Sequence, residues 1–181
     1  IYVDDENFGS NKKYSYQCAE LFQKYNLLWW AGGARCTNIV KEDVVHYKKN
    51  GCCGITFGIE SGSQTMLDIM EKKFTVDDIK KAIFACYDND LYSSPLGFMF
   101  GMPGENLHTA RESGKLLGEI AARIGVSPDL IFGQLDPCYA IPLIGTPLYE
   151  YGKLLGLVGQ NIDEEEKYLE LVSNVGAYKR Y

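Results

Sequence analysis

The sequence predicts an α/β fold built on a parallel sheet. Short apolar runs alternate with helical patterns about ten or more residues long, glycine-rich or polar turns follow the apolar runs, and no low-complexity linker breaks the alternation along the 181 residues. Strand–helix–strand units of this kind cross over right-handed and lay parallel strands side by side. Repeated about five times, they give either part of a β/α barrel or an open doubly wound sheet. In both, ligands gather at the carboxyl ends of the strands.

The elements follow in order. Ile1-Tyr2-Val3 ends a short strand that breaks at Asp4-Asp5-Glu6-Asn7. Ser10 or Asn11 caps a helix to about Asn26, with Cys18, Leu21, Phe22 and Tyr25 inward. Leu27 to Ala31 is the second strand, closing on Gly32 to Arg35. Lys41 to Asn50 is a helix with Val44, Val45 and Tyr47 inward, stopped at Asn50-Gly51. Cys53 to Ile59 is the third strand, ending in Glu60-Ser61-Gly62-Ser63, and a helix covers Ser63 to Met70. Thr75, with Asp78 three residues on, opens a helix from Val76 to Asp88. Leu96 to Phe100 is the fourth strand, followed by Gly101-Met102-Pro103-Gly104-Glu105 and a helix from Leu107 to Ile124. A fifth strand is expected near Leu130 to Leu135, helix at Tyr149 to Leu155, and a last helix opened by Asp163 to Glu166, where negative charge suits the helix dipole.

Composition narrows the function classes. At 46% hydrophobic, 23% charged and a formal charge of −6, the chain has the make-up of an ordinary globular domain and lacks the clustered positive charge that nucleic acid requires. No apolar run reaches the roughly 18–20 residues of a membrane span. The six cysteines are too sparse for a secreted disulfide scaffold and point to a reducing, cytoplasmic setting with buried thiols. Adjacent Cys52 and Cys53 on a strand face opposite ways, and His46 and His108 are isolated, so no metal ligand set is expected.

The polar clusters follow four apolar strands and therefore share one edge of a parallel sheet. Glu60 ends a strand interrupted by Gly58; a carboxylate there can accept from a pair of hydroxyls, as on a ribose, or can be a solvated group at an ordinary turn with Ser61 and Ser63 beside a helix start. Gly101 to Pro103 form a stiff turn after an apolar strand that can receive an aromatic base, or a plain turn with Glu105 exposed. Arg35 suits a carboxylate or phosphate, and Lys72 can reach the same mouth. No G-x-G-x-x-G follows the first strand, and P-loop and nucleophile-elbow patterns are absent.

Asp4-Asp5-Glu6-Asn7-Phe8, Trp30-Ala31 through Arg35, Gly51 to Gly62, Met66 to Thr75, Phe98 to Glu105 and Gly145 to Tyr149 occur in this order. Together they resemble the radical S-adenosylmethionine superfamily, in its cobalamin-associated branch that includes anaerobic magnesium-protoporphyrin monomethyl ester cyclases. The resemblance covers residues 1–155 and selects the partial β/α barrel; residues 156–181 read as a helical extension of that core. It implies an enzyme, oxidoreductase or methyltransferase, in which a 4Fe–4S cluster cleaves S-adenosylmethionine to a 5′-deoxyadenosyl radical. An electron donor for the cluster, a small-molecule substrate and a cobalamin domain upstream belong to the same picture.

The family's C-x-x-x-C-x-x-C loop does not occur in this chain, and its first strand matches the family's second. The first βα unit is therefore expected to lie outside it, leaving the chain inactive alone and prone to self-association through its first strand. By resemblance, Asp5, Glu6 and Asn7 face the methionine amino group, Glu60 the ribose, and Lys72 the methionine carboxylate, with Arg35 sharing that carboxylate or a substrate acid and Ser61 also in the cofactor site. Gly101, Met102 and Pro103 line the adenine. Two other classes compete: a β/α-barrel hydrolase using Glu60 and Glu105 as paired carboxylates, and a non-catalytic small-molecule binding module.

Overall fold

Strand and helix alternate from Tyr2 onward in the computed structural model, which describes residues 1–93, 97–132 and 136–173. The elements are β1 (Tyr2–Val3), α1 (Lys12–Lys24), β2 (Trp29–Ala34), α2 (Lys41–Lys49), β3 (Cys52–Glu60), α3 (Gln64–Ile69), α4 (Val76–Tyr87), β4 (Gly97–Phe100), α5 (Leu107–Ile124), α6 (Pro128–Phe132), β5 (Asp136–Tyr139), α7 (Pro147–Leu154) and α8 (Ile162–Ser173). They fall into two units, Ile1–Cys138 and Tyr139–Tyr181.

The five strands form one parallel sheet in the order β1-β2-β3-β4-β5, curled into a half-barrel. That order decides between the two architectures left open by the alternation. A doubly wound sheet reverses its strand order partway, whereas crossovers that always step to the next strand with one hand keep the helices on one side and curl the sheet. Asp5 after β1, Glu60 at the end of β3 and Gly101 after β4 consequently lie along the same edge.

The helix-facing side of the sheet is the core. Trp29, Ala31, Ile55, Phe57, Ile59 and Phe98 are all buried there. Trp29 packs among Phe8, Phe22 and Tyr47, with ring centroids 5.8, 5.6 and 5.7 Å away, and its indole N–H donates to the Asn50 carbonyl at 2.8 Å. Capping residues set the helix starts as expected: Asn11 accepts from the Tyr14 amide, Thr75 and Asp78 form a reciprocal box, and Asn106 accepts from the His108 and Thr109 amides.

Several expectations need correction. The buried stripe of α1 is Ser15 and Ala19, with Phe22 partly buried, while Leu21 and Tyr25 are exposed. Small residues let the helix approach so closely that Ser15 Oγ lies 2.8 Å from Tyr47 Oη; a pattern weighted toward bulky apolar residues misses such a stripe. In α2, Val45 faces out and Asp43 faces in. The Asp43 carboxylate accepts from the Val40 amide, Lys12 Nζ and Tyr16 Oη at 2.8–2.9 Å, which satisfies a charge that is otherwise costly to bury. Leu27 and Leu28 precede β2 instead of starting it.

The fifth strand lies later than Leu130. Pro128 preset for a first helical turn, with Ser127 Oγ accepting the Asp129 amide, makes α6 out of the start of that run, and β5 begins at Asp136. Leu96, expected in β4, falls outside the described residues. Buried thiols hold for Cys36, Cys52 and Cys86, but Cys53 and Cys138 are exposed. Among the described residues, no helix is long and apolar enough to cross a membrane.

Candidate functional site

β3 delivers Glu60 to the sheet edge through an alternation with glycine. Phe57 and Ile59 point into the core, so Gly58 and Glu60 share the other face. A Cβ at Gly58 would lie 3.0 Å from Glu60 Oε1, so the glycine leaves room for the carboxylate to fold over the strand. Gly58 is paired in register with Gly97 of β4, whose own Cβ would meet the Phe57 carbonyl oxygen at 3.0 Å. The two strands thus present bare backbone directly below Glu60.

The strand ends in a tight reversal. Glu60 has φ +64°, and the Ser61 amide donates to the Ile59 carbonyl at 2.8 Å, a γ-turn of the positive-φ kind that L-residues rarely adopt. Ser61, Gly62 and Ser63 then lock to α5. Ser113 Oγ accepts the Gly62 amide at 2.9 Å and lies 3.3 Å from Ser61 Oγ, Ser63 Oγ donates to Glu112, and a Cβ on Gly62 would lie 2.5 Å from the Ser113 Cα. The Ser61 hydroxyl is buried in this joint, which fixes the base of the Glu60 turn.

Lys72 arrives from the other side. After α3 the Lys72 amide donates to the Leu67 carbonyl and the Glu71 amide to the Asp68 carbonyl, both at 3.0 Å, a Schellman ending with Glu71 in the left-handed position usually held by glycine. Lys73 is left-handed as well, at φ +60°. The reversal aims Lys72 at β3, where Nζ donates to Glu60 Oε1 at 2.8 Å with both side chains largely covered. Arg35, just past β2, donates from its guanidinium to the Lys72 carbonyl. Arg35 and Glu60 therefore converge on Lys72, the guanidinium at its carbonyl and the carboxylate at its ammonium, which puts two cationic side chains at this edge, suited to an anionic ligand group.

Asp5, Glu6 and Asn7 occupy the neighbouring strand end. Asp5 Oδ1 accepts the Asn7 amide at 2.8 Å, and Asn38 donates to Asn7 Oδ1 at 2.7 Å. The loop presses on β2 so closely that a Cβ on Gly33 would overlap the Asp5 carbonyl. Beyond β4, Gly101 has φ +84° and Gly104 φ +94°, and the Gly101 amide donates to Glu105 Oε2 at 2.7 Å. Glu105 therefore braces its own turn, and Met102 and Pro103 lie half-buried between the two glycines. With Glu60 tied to Lys72 and Glu105 tied to Gly101, the paired-carboxylate hydrolase is not favoured.

Sequence reasoning missed the Gly58–Gly97 pair as a unit and the left-handed Glu71 and Lys73. Glycine at alternate positions of β3, opposite another strand that begins with glycine, is a legible sign of the first. The second has no sequence signal, because Glu and Lys are uncommon in left-handed backbone.

No protein-family model matches the chain. Over 118 residues, 64% of this chain and 21% of the relative, it is 27% identical to the anaerobic magnesium-protoporphyrin IX monomethyl ester cyclase of Rubrivivax gelatinosus. To the enzyme of that name from Cereibacter sphaeroides it is 28% identical over 117 residues, 62% of this chain and 19% of the relative. The chain therefore spans about a fifth of the length of these curated relatives. Among solved structures it is similar to the radical S-adenosylmethionine methyltransferase TsrM from Kitasatospora setae, with cobalamin and a 4Fe–4S cluster bound: TM-score 0.57 and 17% identity, covering 66% of this chain and 25% of that one. The same enzyme with tryptophan substrate and the analogue aza-SAM gives TM-score 0.56 at 17% identity, over 66% and 24% of the two chains. At that identity the likeness is one of fold. The resemblance carried by the motifs and the likeness carried by the fold lead to the same group of radical S-adenosylmethionine proteins.

Proposed function

We propose that this chain is the part of a radical S-adenosylmethionine enzyme that grips the cofactor along the carboxyl ends of its strands. The convergence of Arg35, Glu60 and Lys72 at that edge is the observation that carries the reading. S-adenosylmethionine offers a carboxylate, an ammonium, a ribose diol and a planar base, and the residues along the edge match each group by chemistry. Arg35 and Lys72 suit the carboxylate, and Glu60 can accept from the ribose hydroxyls. Asp5, Glu6 and Asn7 offer acceptors to the ammonium. Gly101, Met102 and Pro103 offer uncovered backbone and an apolar side chain to the base, and Ser61 supports Glu60 from behind.

When bound and reduced in such enzymes, the cofactor supplies a carbon radical that takes a hydrogen atom from substrate. A 4Fe–4S cluster does not fit the residues present: no C-x-x-x-C-x-x-C occurs, and among the described residues no three His, Cys, Asp or Glu side chains are grouped to hold a metal. The role of this chain is to bind and orient the cofactor. Whether the whole protein acts as an oxidoreductase or a methyltransferase, with cobalamin upstream, belongs to the same proposal and rests on the relatives' names.

Calorimetric titration of S-adenosylmethionine into the intact protein tests the reading. Binding that weakens roughly ten-fold or more in Glu60→Ala, the worth of one charge-assisted hydrogen bond, is the expected result. Unchanged affinity in Glu60→Ala and in Lys72→Met removes the rim from the cofactor site.

A further inference from the structure

Lys72 rides on the link 70–75 between α3 and α4, and a side chain that the cofactor reading leaves without a role closes the base of that link. Gln64 opens α3, and its amide reaches across to the start of α4. Its Oε1 accepts the Val76 amide at 3.1 Å, and its Nε2 donates to the Phe74 carbonyl at 3.5 Å and to Asp68 Oδ1 at 2.9 Å. The first amides of a helix have no partner within it. At α4 the Thr75 and Asp78 amides are taken by each other's side chains, and the Val76 amide between them is taken by Gln64. A carboxamide accepts at one end and donates at the other, which neither a carboxylate nor an ammonium can do. The bond to Asp68, one helical turn on, holds the amide in that orientation.

We propose that Gln64 is a positioning residue for Lys72, a staple across the α3–α4 link that presents the Lys72 ammonium to the carboxylate of S-adenosylmethionine. The proposal rests on the cofactor reading of Glu60 and Lys72. Lys72 stands between two left-handed residues, Glu71 at φ +53° and Lys73 at φ +60°, and such backbone persists only where its surroundings over-determine it. Upstream, the Lys72 amide is fixed to the Leu67 carbonyl, and Arg35 holds the Lys72 carbonyl from the end of β2. Downstream, Phe74 is buried in the core, and Gln64 takes both its carbonyl and the Val76 amide. The staple is thus the polar restraint on the far side of Lys72. An ammonium on a flexible four-carbon stem loses rotamer freedom when it engages a ligand, and a fixed backbone keeps that loss to the side chain. Without the staple the strain at Lys73 can relax and Lys72 swings from its place, which weakens the grip on the carboxylate and leaves the rest of the cofactor untouched.

The test titrates the intact protein by calorimetry with S-adenosylmethionine and with its decarboxylated analogue, which keeps the amine, ribose and base. Gln64→Met, similar in length and without the amide, is expected to weaken S-adenosylmethionine about three- to ten-fold, the worth of one hydrogen bond, and to leave the analogue nearly unchanged. In a Lys72→Met background the same substitution should cost nothing further. A merely structural Gln64 would instead weaken both ligands alike in both backgrounds. Where urea unfolding shows Gln64→Met misfolded, Gln64→Glu takes its place; it keeps the acceptor for Val76, loses the donor and must show the same dependence on Lys72. Equal effects on the two ligands, no effect on S-adenosylmethionine, or a loss that persists without Lys72 overturns the proposal. If Lys72→Met weakens S-adenosylmethionine and Gln64→Met does not, the staple alone has failed. If Lys72→Met itself leaves binding unchanged, the cofactor reading of Lys72 has failed and the staple with it.

Discussion

Lys72 Nζ lies 2.8 Å from Glu60 Oε1, and the backbone on both sides of that contact is left-handed. Five non-glycine residues among those described have positive φ, and three of them, Glu60, Glu71 and Lys73, bracket this one ion pair. The other two, Asn26 and Asp90, are of the types that tolerate such backbone in turns. Each left-handed L-residue costs on the order of 1 kcal/mol or more, and it persists only where the surroundings enforce it. A partly exposed ion pair of this kind is worth on the order of 1 kcal/mol, too little to hold three such residues by itself. The anchors are therefore the Schellman turn behind Lys72, the Ser61–Ser113 joint behind Glu60 and the Arg35 contact to the Lys72 carbonyl.

Glu60→Gln is expected to retain more S-adenosylmethionine affinity than Glu60→Ala. Glutamine keeps a carbonyl that accepts from a hydroxyl and loses only the charge, whereas alanine removes the acceptor. Calorimetry on the two variants separates them. Equal losses mean that Glu60 acts only through Lys72.

Glu71→Gly should raise stability by about 0.5–1 kcal/mol, because glycine adopts the left-handed position of a Schellman turn without a Cβ penalty. The gain appears as a higher unfolding midpoint in urea. A lower midpoint means that the Glu71 side chain contributes a contact outweighing its backbone strain.

The alternation of strands and helices was legible because each element repeats its signal several times, through periodicity, caps and glycine stops. The limits of α5 and the capping box of α4 match their observed positions for that reason. The clustering of Asp5, Glu60 and Gly101 along one edge followed from parallel strands alone. What stayed hidden depends on long-range closeness: Asp43 buried beneath Lys12 and Tyr16, the Ser15–Ala19 stripe, and the Gly58–Gly97 floor. In a linear reading each is a polar or small residue in an ordinary place, and only the partner makes it informative.

Thiol labelling should divide the cysteines. Burial pushes the thiols of Cys36, Cys52 and Cys86 up to about 12, so almost none is thiolate at neutral or mildly alkaline pH. Cys53 and Cys138 are exposed and should react with a maleimide first. Peptide mass spectrometry after a short exposure reads the order. Early modification of Cys52, next in sequence to Cys53, contradicts the assigned strand face.

In the second unit, Lys153 of α7 donates to Glu165 of α8 at 2.8 Å. That bond holds the Glu165 carboxyl below its ordinary range and raises the Lys153 ammonium above its own. The carboxylate's share of stability is full above about pH 4.3 and fades as pH falls through its lowered value; the ammonium's is full below about pH 10.4 and fades as pH rises through its raised one. The contact thus works across the interval between those limits. Protection factors in α7, taken relative to the intrinsic exchange rate at each pH, should fall on acidification in the wild type and show a flatter acid response in Glu165→Gln. An unchanged response means that the pair does not secure α7.

Gly58→Ala and Gly97→Ala provide the sharpest contrast, because the same added methyl meets different atoms. At Gly58 it would lie 3.0 Å from Glu60 Oε1, the end of a side chain that can swing away. The fold should therefore survive with little change in unfolding midpoint, while Glu60 leaves its place and S-adenosylmethionine affinity falls about as far as in Glu60→Ala. At Gly97 the methyl would meet the Phe57 carbonyl oxygen at 3.0 Å and the Gly58 Cα at 3.2 Å, and backbone held in a sheet cannot swing. There the strands must part, and overpacking of this kind costs about 1–3 kcal/mol. Urea unfolding and calorimetry on both variants read the two effects separately. Gly58→Ala must lose affinity without stability, and Gly97→Ala must lose stability. If Gly58→Ala binds normally, the bare strand below Glu60 is a packing feature and the carboxylate does not need to fold over it.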